Sequence, residues 1–265
     1  SRTSTYWPEA QFESAWASFM QNDLNMALGK ILTIESPFFR YDEFIPEATI
    51  LKGLTFFNLC EYNDVDRILL EFEDTYRKMH DEMKEFVKSY ATQEGKALAD
   101  QAWDSYFGSR RKQTHLNKAV FNRILRNTDL AGLVRHMDMM AEEDALVDDQ
   151  KAQWAGSVGE HVKQILEHDR ERYKRRAGLL LLGEMARQTN YLSDLLTQSE
   201  IIRFEVLDAQ RVDYQYKMQN PDLGDSKTLE VDFATSVDYI YWPFNGEFWQ
   251  DELGYYHYTE QGSCK

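Results

Sequence analysis

The sequence predicts a mainly α-helical protein that ends in a small aromatic β-hairpin. Three observations carry that reading. Only five prolines occur, and none lies between Pro46 and Pro221, so nothing obliges a helix to stop over that span. Apolar residues there recur at spacings of three and four, the period of one helix face. After Pro221 the character changes: the last 35 residues hold 10 of the 36 aromatics, with Asn245-Gly246 between two aromatic runs. Asn-Gly accepts the positive φ values of a two-residue hairpin turn.

Three zones are expected, at 1–80, 81–220 and 221–265. In the first, helices are expected at about 9–21, 23–35, 46–60 and 63–80, with breaks at Gln21-Asn22-Asp23 and Glu61-Tyr62-Asn63. An internal repeat runs through them. Ala15, Ala27 and Ile31 in the first pair correspond to Gly53, Val65 and Leu69 in the second, each 38 residues later. A small residue lets two antiparallel helices approach closely, and the later apolar positions fill the seam.

The stretch Ile45-Pro-Glu-Ala-Thr-Ile-Leu-Lys-Gly-Leu-Thr-Phe-Phe-Asn-Leu-Cys-Glu-Tyr-Asn-Asp-Val-Asp resembles a tetratricopeptide repeat. It is similar in particular to repeats of bacterial envelope proteins, in which an "EA-x-x-LKG" helix precedes "N-L-C-x-Y-x-D-A". Gly53 matches the family's small residue, Phe56 its aromatic and Tyr62 its loop aromatic; Val65 replaces the usual Ala. The first repeat fits less well, with Gln11 and Ser18 where Trp and Tyr are common. The resemblance covers about 70 residues, and two repeats fall short of the three that a free-standing solenoid needs. The tail "WPFNGEFWQDELGYYHY" is similar to that of tetratricopeptide envelope proteins of predatory and gliding bacteria.

The middle zone would cover the open faces of the repeats. Helices are expected at 79–107 and 116–145. From about Gln150 to Met218 the pattern hardly breaks, and Leu192, Leu195, Ser199, Ile202, Val206, Ala209, Asp213 and Tyr216 alternate spacings of three and four. Ser199 and Asp213 are poor coiled-coil core residues, which favours packing on the chain's own repeats over a long dimeric coiled coil. Gly178 and Gly183 suggest a break, giving two long antiparallel helices. In the last zone Tyr255–Thr259 would add a third strand, with Pro243 confined to an edge.

Charge and composition exclude several functions. Thirty basic against 45 acidic groups, a net −15, do not suit a general phosphate-binding surface, so no nucleic-acid partner is expected. The longest apolar run, Gly178–Gly183, is far short of the roughly 18 residues that cross a bilayer. Two cysteines, Cys60 and Cys264, exclude a disulfide framework and a four-cysteine zinc site. Either they are bridged, or Cys60 is a small buried apolar residue, the favoured reading.

No nucleophile elbow, phosphate-binding loop, dinucleotide fingerprint or H-E-x-x-H is present. Glu160-His161 and Glu167-His168 are read as solvated helix residues, because adjacent side chains diverge by about 100° on a helix. The acids at Glu142-Glu143-Asp144 and Asp148-Asp149 lack the glycine and alternate oxygens of a calcium loop. No metal, cofactor or catalytic residue is therefore assigned. Two basic runs, Arg110 to Arg126 and Arg170 to Arg176, are read first as partners of the chain's own carboxylates, and otherwise as sites for a polyanion or acidic partner.

The expected site comes from the resemblance. In a tetratricopeptide repeat the first helix of each pair lines a concave groove. That implies Phe12, Trp16, Phe19 and Met20 from the first repeat, and Ile50, Leu54, Phe57 and Asn58 from the second, as partner-binding residues. Such apolar anchors suit a helix or peptide, unless the chain's own helices cover them. The tail aromatics Trp242, Phe244, Phe248 and Trp249 are read as staples to the helices rather than partner contacts.

The expected function is a non-enzymatic scaffold or adaptor. It would bind a protein or peptide partner, or assemble with itself. The resemblance, with a chain that opens Ser1-Arg-Thr-Ser and not with methionine, implies a periplasmic or outer-membrane-associated location. The alternative is a cell-wall-binding module or hydrolase with an acidic cleft, for which Asp238, Glu247, Asp251 and Glu252 are the local acids.

Overall fold

The computed structural model describes residues 4–39, 43–90, 92, 99–107, 118–149, 157–220, 246–256, 258 and 262. Of these, 83% are helical. The helices are α1 (Trp7–Met20), α2 (Leu24–Ile34), α3 (Glu47–Asn58), α4 (Tyr62–Tyr90), α5 (Ala99–Phe107), α6 (Lys118–Leu125), α7 (Thr128–Asp149) and α8 (Ser157–Gln219). The chain forms two compact units: Ser1–Tyr76 with Asp194–Lys265, and Arg77–Ser193.

In the first unit, α1 opens with Pro8 in its first turn, where a missing N–H costs nothing. Its end is built on Asn22, at φ 61°. The Asn22 N–H donates to the Phe19 carbonyl at 2.9 Å and the Asp23 N–H to the Ser18 carbonyl at 2.9 Å, a Schellman closure around a left-handed residue. Asp23 then caps α2, its Oδ1 accepting from the Met26 N–H at 3.2 Å. The turn between α3 and α4 has the same geometry 38 residues later. Cys60 lies at φ 58°, its N–H donates to Phe57 O at 2.9 Å and that of Glu61 to Phe56 O at 3.0 Å.

The six positions of the sequence repeat lie inside. Ala15, Ala27, Ile31, Val65 and Leu69 have no exposed surface, and Gly53 is buried. Ala15 and Ile31 pack with Leu51, Phe12 and Phe19. A Cβ on Gly53 would stand 3.1 Å from Leu69 Cδ2, so the absence of a side chain sets the approach of α3 to α4. The 194–219 part of α8 is held on α4 by Arg203. Its Nε donates to Asp66 at 3.1 Å and its Nη1 to Glu73 at 3.3 Å. Ser199, buried, donates to the same Glu73 at 3.1 Å. Leu195, Ile202 and Val206 are buried beside it, so the four heptad-spaced residues from Leu195 to Val206 face inward.

The tail docks on the N-terminal helices. Leu253 and Tyr256 are buried with Leu32, and Trp7, Phe39 and Phe248 pack around them. Gly254, at φ +90°, is 3.3 Å from the Trp7 ring by its notional Cβ, and its N–H donates to Thr33 Oγ1 at 3.0 Å. The expected β-hairpin is not formed among the described residues. Gly246–Trp249 and Tyr255–Tyr256 have no strand conformation; residues 239–245 and Thr259 lie outside them. Side-chain burial and the Gly254 bond to Thr33 hold this segment, in place of a ladder. Of the aromatics expected to staple the tail, Phe248 does so, Trp249 is 58% exposed, and Trp242 and Phe244 are outside the described residues.

The second unit contains residues 77–90 of α4, then α5, α6, α7 and residues 157–193 of α8. The helix expected at 116–145 is two helices. Asn127 separates them, its Oδ1 accepting from the Asp129 and Leu130 N–H groups at 3.1 Å each, because a short amide caps a new helix more readily than it continues an old one. Likewise α4 ends at Tyr90 and α5 begins at Ala99. Phe86, Tyr106 and Phe121 form an aromatic row, Tyr106 stacking on Phe121 at 5.3 Å.

The break expected at Gly178 and Gly183 is absent: α8 runs through both. A glycine in a helix costs only about 1 kcal/mol relative to alanine, and Gly178 is present for a packing reason. A Cβ there would stand 1.7 Å from the Ala99 carbonyl oxygen and 2.5 Å from its carbon. The start of α5 therefore lies directly on the backbone of α8. The 157–193 part is tied to its neighbours by Lys174 to Asp104 at 2.5 Å and Lys163 to Asp148 at 2.6 Å.

A buried carboxylate joins α8 to the start of α7. Glu184 is 9% exposed. It accepts from Gln188 Nε2 at 3.0 Å, from Asn127 Nδ2 at 3.3 Å and from Arg187. Burial pushes its carboxyl up, but the three hydrogen bonds and the Arg187 charge outweigh it and hold the group below its ordinary value of 4.5. A depressed folded value means stability that is present above the unfolded value and lost as pH falls through the folded one. Glu184→Gln is therefore expected to cost about 1–3 kcal/mol at pH 7. The gap from the parent protein should close as pH falls below 4.5 in paired denaturant titrations. A gap that stays constant down to acid unfolding would remove this account.

Candidate functional site

The expected groove residues divide into core and surface. Phe12 and Phe19 pack into the clusters around Ile31 and Leu51, and Phe12 also reaches Ile34, Ile45 and Ala48. Ile50 is 4% exposed. Phe12 and Phe19 are half-buried. Leu54 and Phe57 are half-buried, Phe57 edge-on to Tyr62 at 5.8 Å. Trp16, Met20 and Asn58 are exposed. Trp16 lies over Phe19 at 5.7 Å, so a core ring supports it from beneath. Asn58 turns its amide back to the Leu54 carbonyl at 3.2 Å. The most open of the eight are thus Trp16 and Met20 on α1 and Asn58 on α3, with Phe12, Phe19, Leu54 and Phe57 half-buried.

Among the described residues, seven of the nineteen exposed large apolar side chains fall between Ile201 and Met218, a concentration the sequence reading missed. Phe204, Leu207, Tyr214 and Met218 are 74%, 64%, 62% and 82% exposed. Arg211 completes the row, at alternating spacings of three and four. Successive members lie on one helix face. That face is opposite the one carrying Leu195, Ile202 and Val206. The helix thus has two apolar rows, one buried against its own unit and one facing solvent. The signal is in the sequence, because both rows have heptad spacing.

Other chemistry is weakly represented. Glu247, Asp251 and Glu252 are all exposed, and Asp238 lies outside the described residues. Among the described residues, no group of three His, Cys, Asp or Glu side chains is placed to hold a metal ion. Glu160, His161, Glu167 and His168 are exposed. In the second basic run Arg172 pairs with Asp169 and Lys174 with Asp104, while Arg170, Arg175 and Arg176 face solvent. No described helix is long and apolar enough to cross a membrane.

Comparison with protein-family models, with curated proteins and with solved structures gives no match for this chain.

The reading of Cys60 as a free, buried apolar residue is corrected: it is disulfide-bonded. The chain has one other cysteine, Cys264, which lies outside the described residues. Gly262 lies against the turn that carries Cys60, its notional Cβ 3.1 Å from the Leu59 carbonyl oxygen.

Proposed function

We propose that this chain is a non-enzymatic scaffold of tetratricopeptide-like hairpins that binds a protein partner in a bacterial envelope assembly. The observation that carries the reading is exposed apolar surface mounted on packed helices. Trp16 and Met20 stand outside a core that Phe12, Phe19 and Leu51 already fill. Supported, solvent-facing aromatics are the anchors that protein interfaces use. The repeat character is supported by the two helix-ending turns, alike in φ and hydrogen bonding at Asn22 and Cys60. An oxidising compartment such as the periplasm is supported by the bonded state of Cys60, since thiols stay reduced in most cytosols.

The acidic-cleft alternative gains no support from Glu247, Asp251 and Glu252. Exposed carboxylates lack the burial that raises a general acid into its working range. The scaffold reading predicts that Trp16→Asp with Phe57→Asp abolishes partner capture from the native organism, with the helical circular dichroism unchanged. Capture of the same partner at parental yield by the double variant would reject this face.

A further inference from the structure

We propose that the outward face of α8 between Val158 and Leu179 is a contact for an anionic phospholipid surface. Val158, Ile165, Arg172 and Leu179 recur every seven residues, so they lie along one face of the helix. Arg175 and Arg176 stand on the same face one turn beyond Arg172, and His161 and His168 fill the intervening turns. All eight are exposed, with Val158, Ile165 and Leu179 at 63%, 49% and 46%. The opposite face is the packed one: Ala177 and Leu181 are buried, and Gly178 lies on the Ala99 carbonyl.

Charge is sorted around the helix in the same way. None of the eight outward residues is acidic, in a chain with 45 acids to 30 bases. Glu160, Glu167 and Glu171 fall on one flank, about a quarter to a third of a turn away. Both lysines of the segment are engaged on the packed side, Lys163 with Asp148 and Lys174 with Asp104. The cations of the outward row are all arginine. Arg172 bonds Asp169 at 3.3 Å, and Arg175 and Arg176 have no carboxylate partner among the described residues.

A headgroup layer matches this face better than a soluble polyanion or a protein does. The planar guanidinium meets two phosphate oxygens at once, where an ammonium is only a point charge. Val158, Ile165 and Leu179 have no role against a soluble polyanion, whereas at a bilayer they enter the boundary between headgroups and acyl chains. A partner helix on the same row would have to bury three arginines against carboxylates, and such pairs recover little beyond their desolvation cost. At a headgroup layer the charged ends stay hydrated while the stems are covered. The segment is about 32 Å long, and no described helix is apolar enough to cross a bilayer, so this one would lie along its surface. The net −15 does not oppose the contact at about 0.1 M salt. The Debye length is then about 10 Å, so the headgroups respond to the touching face and the distant carboxylates are screened.

Co-sedimentation of the full chain with vesicles of phosphatidylglycerol and phosphatidylcholine, against vesicles of phosphatidylcholine alone, tests this. Retention is expected only on the anionic vesicles, and it should fall between about 0.1 M and about 0.5 M NaCl as the arginine contacts are screened. Each arginine contributes about fivefold in affinity at an anionic surface. Arg175→Gln with Arg176→Gln should therefore weaken binding by about 25-fold, and Arg175→Lys with Arg176→Lys by much less. Ile165→Ser with Leu179→Ser should weaken it by about tenfold. All four side chains are exposed, so helical circular dichroism should not change. Absence of retention on anionic vesicles at the lower salt overturns the proposal and leaves the row to an acidic protein. Retention that ignores the glutamine changes overturns it as well. Retention that needs the arginines but ignores Ile165 and Leu179, and is displaced by inorganic polyphosphate, overturns it in favour of a soluble polyanion. Trp16→Asp with Phe57→Asp should bind vesicles as the parent does, so failure of the partner-binding reading and failure of this one are separable.

Discussion

Gly178→Ala is expected to be the most damaging single-methyl change in the second unit. The new Cβ would be placed 1.7 Å from the carbonyl oxygen of Ala99, less than half the separation that two unbonded heavy atoms hold at optimum. That oxygen is backbone, so no rotamer change relieves the overlap. Either α5 lifts off α8, or its first turn unwinds. Ala99, Ala102 and Tyr106 on α5, and Ala177 and Leu181 on α8, are all buried, so separation would expose a packed seam. Overpacking of this kind typically costs 1–3 kcal/mol and more where backbone must move; about 3 kcal/mol is expected here, a fall of roughly 10 °C in Tm. Gly183 on the same helix provides the control. It is exposed, with nothing within 4 Å of its notional Cβ, so Gly183→Ala should stabilise by about 0.5–1 kcal/mol through helix propensity alone. Thermal unfolding of the two variants should move in opposite directions. A Gly178→Ala protein as stable as its parent would show that α5 does not rest on this glycine.

These two glycines mark the boundary of what the sequence could disclose. Their spacing within an apolar run suggested a helix break, and both are helical. Local propensity penalises each equally, whereas the reason for one of them is a contact with residue 99, almost 80 positions away. The first three helices and the start of the fourth were legible because their determinants are local: Pro8 at a helix start, Asp23 at a cap, and small residues 38 apart where helices approach; the division expected at about residue 80 is absent, since α4 runs from Tyr62 to Tyr90. Asn127 was a cap signal of the same local kind and was passed over inside a long apolar pattern. In the tail, tertiary contacts are the part the sequence does not show. Asn245-Gly246 and flanking aromatics are a local hairpin signal, of which residues 239–245 lie outside the described residues; the burial of Leu253 and Tyr256 on Leu32 depends on residues more than 200 positions away. The candidate groove divides in a way the pattern does not show. Phe12, Phe19 and Ile50 satisfy a groove pattern in sequence, but burial is a property of neighbours the pattern does not name. On α8, two rows share one period, and the sequence could not tell which of them Asp66 and Glu73 would draw inward through Arg203.

Cys60→Ser is expected to be the other large effect, and it acts on the unfolded chain more than on the folded one. A disulfide restricts the denatured ensemble, and the restriction grows with the loop it closes. The only other cysteine lies at position 264, so a bridge within the chain closes a loop of about 200 residues, for which removal costs about 2–5 kcal/mol. The folded side of the balance points the same way. Cys60 holds a left-handed conformation at φ 58°, which costs a non-glycine residue roughly 1–2 kcal/mol, and serine there retains that cost while losing the bond. The matched turn at Asn22 supplies the comparison, because asparagine accepts this conformation readily. Cys60→Asn should therefore be less damaging than Cys60→Ser, with the difference confined to the turn. Equilibrium unfolding with and without reductant separates the contributions: the parental protein should lose stability on reduction, and neither variant should respond. Parental stability that is unchanged by complete reduction, verified by thiol labelling of the unfolded chain, would show that the bond contributes nothing to the fold and would withdraw its support for an oxidising compartment.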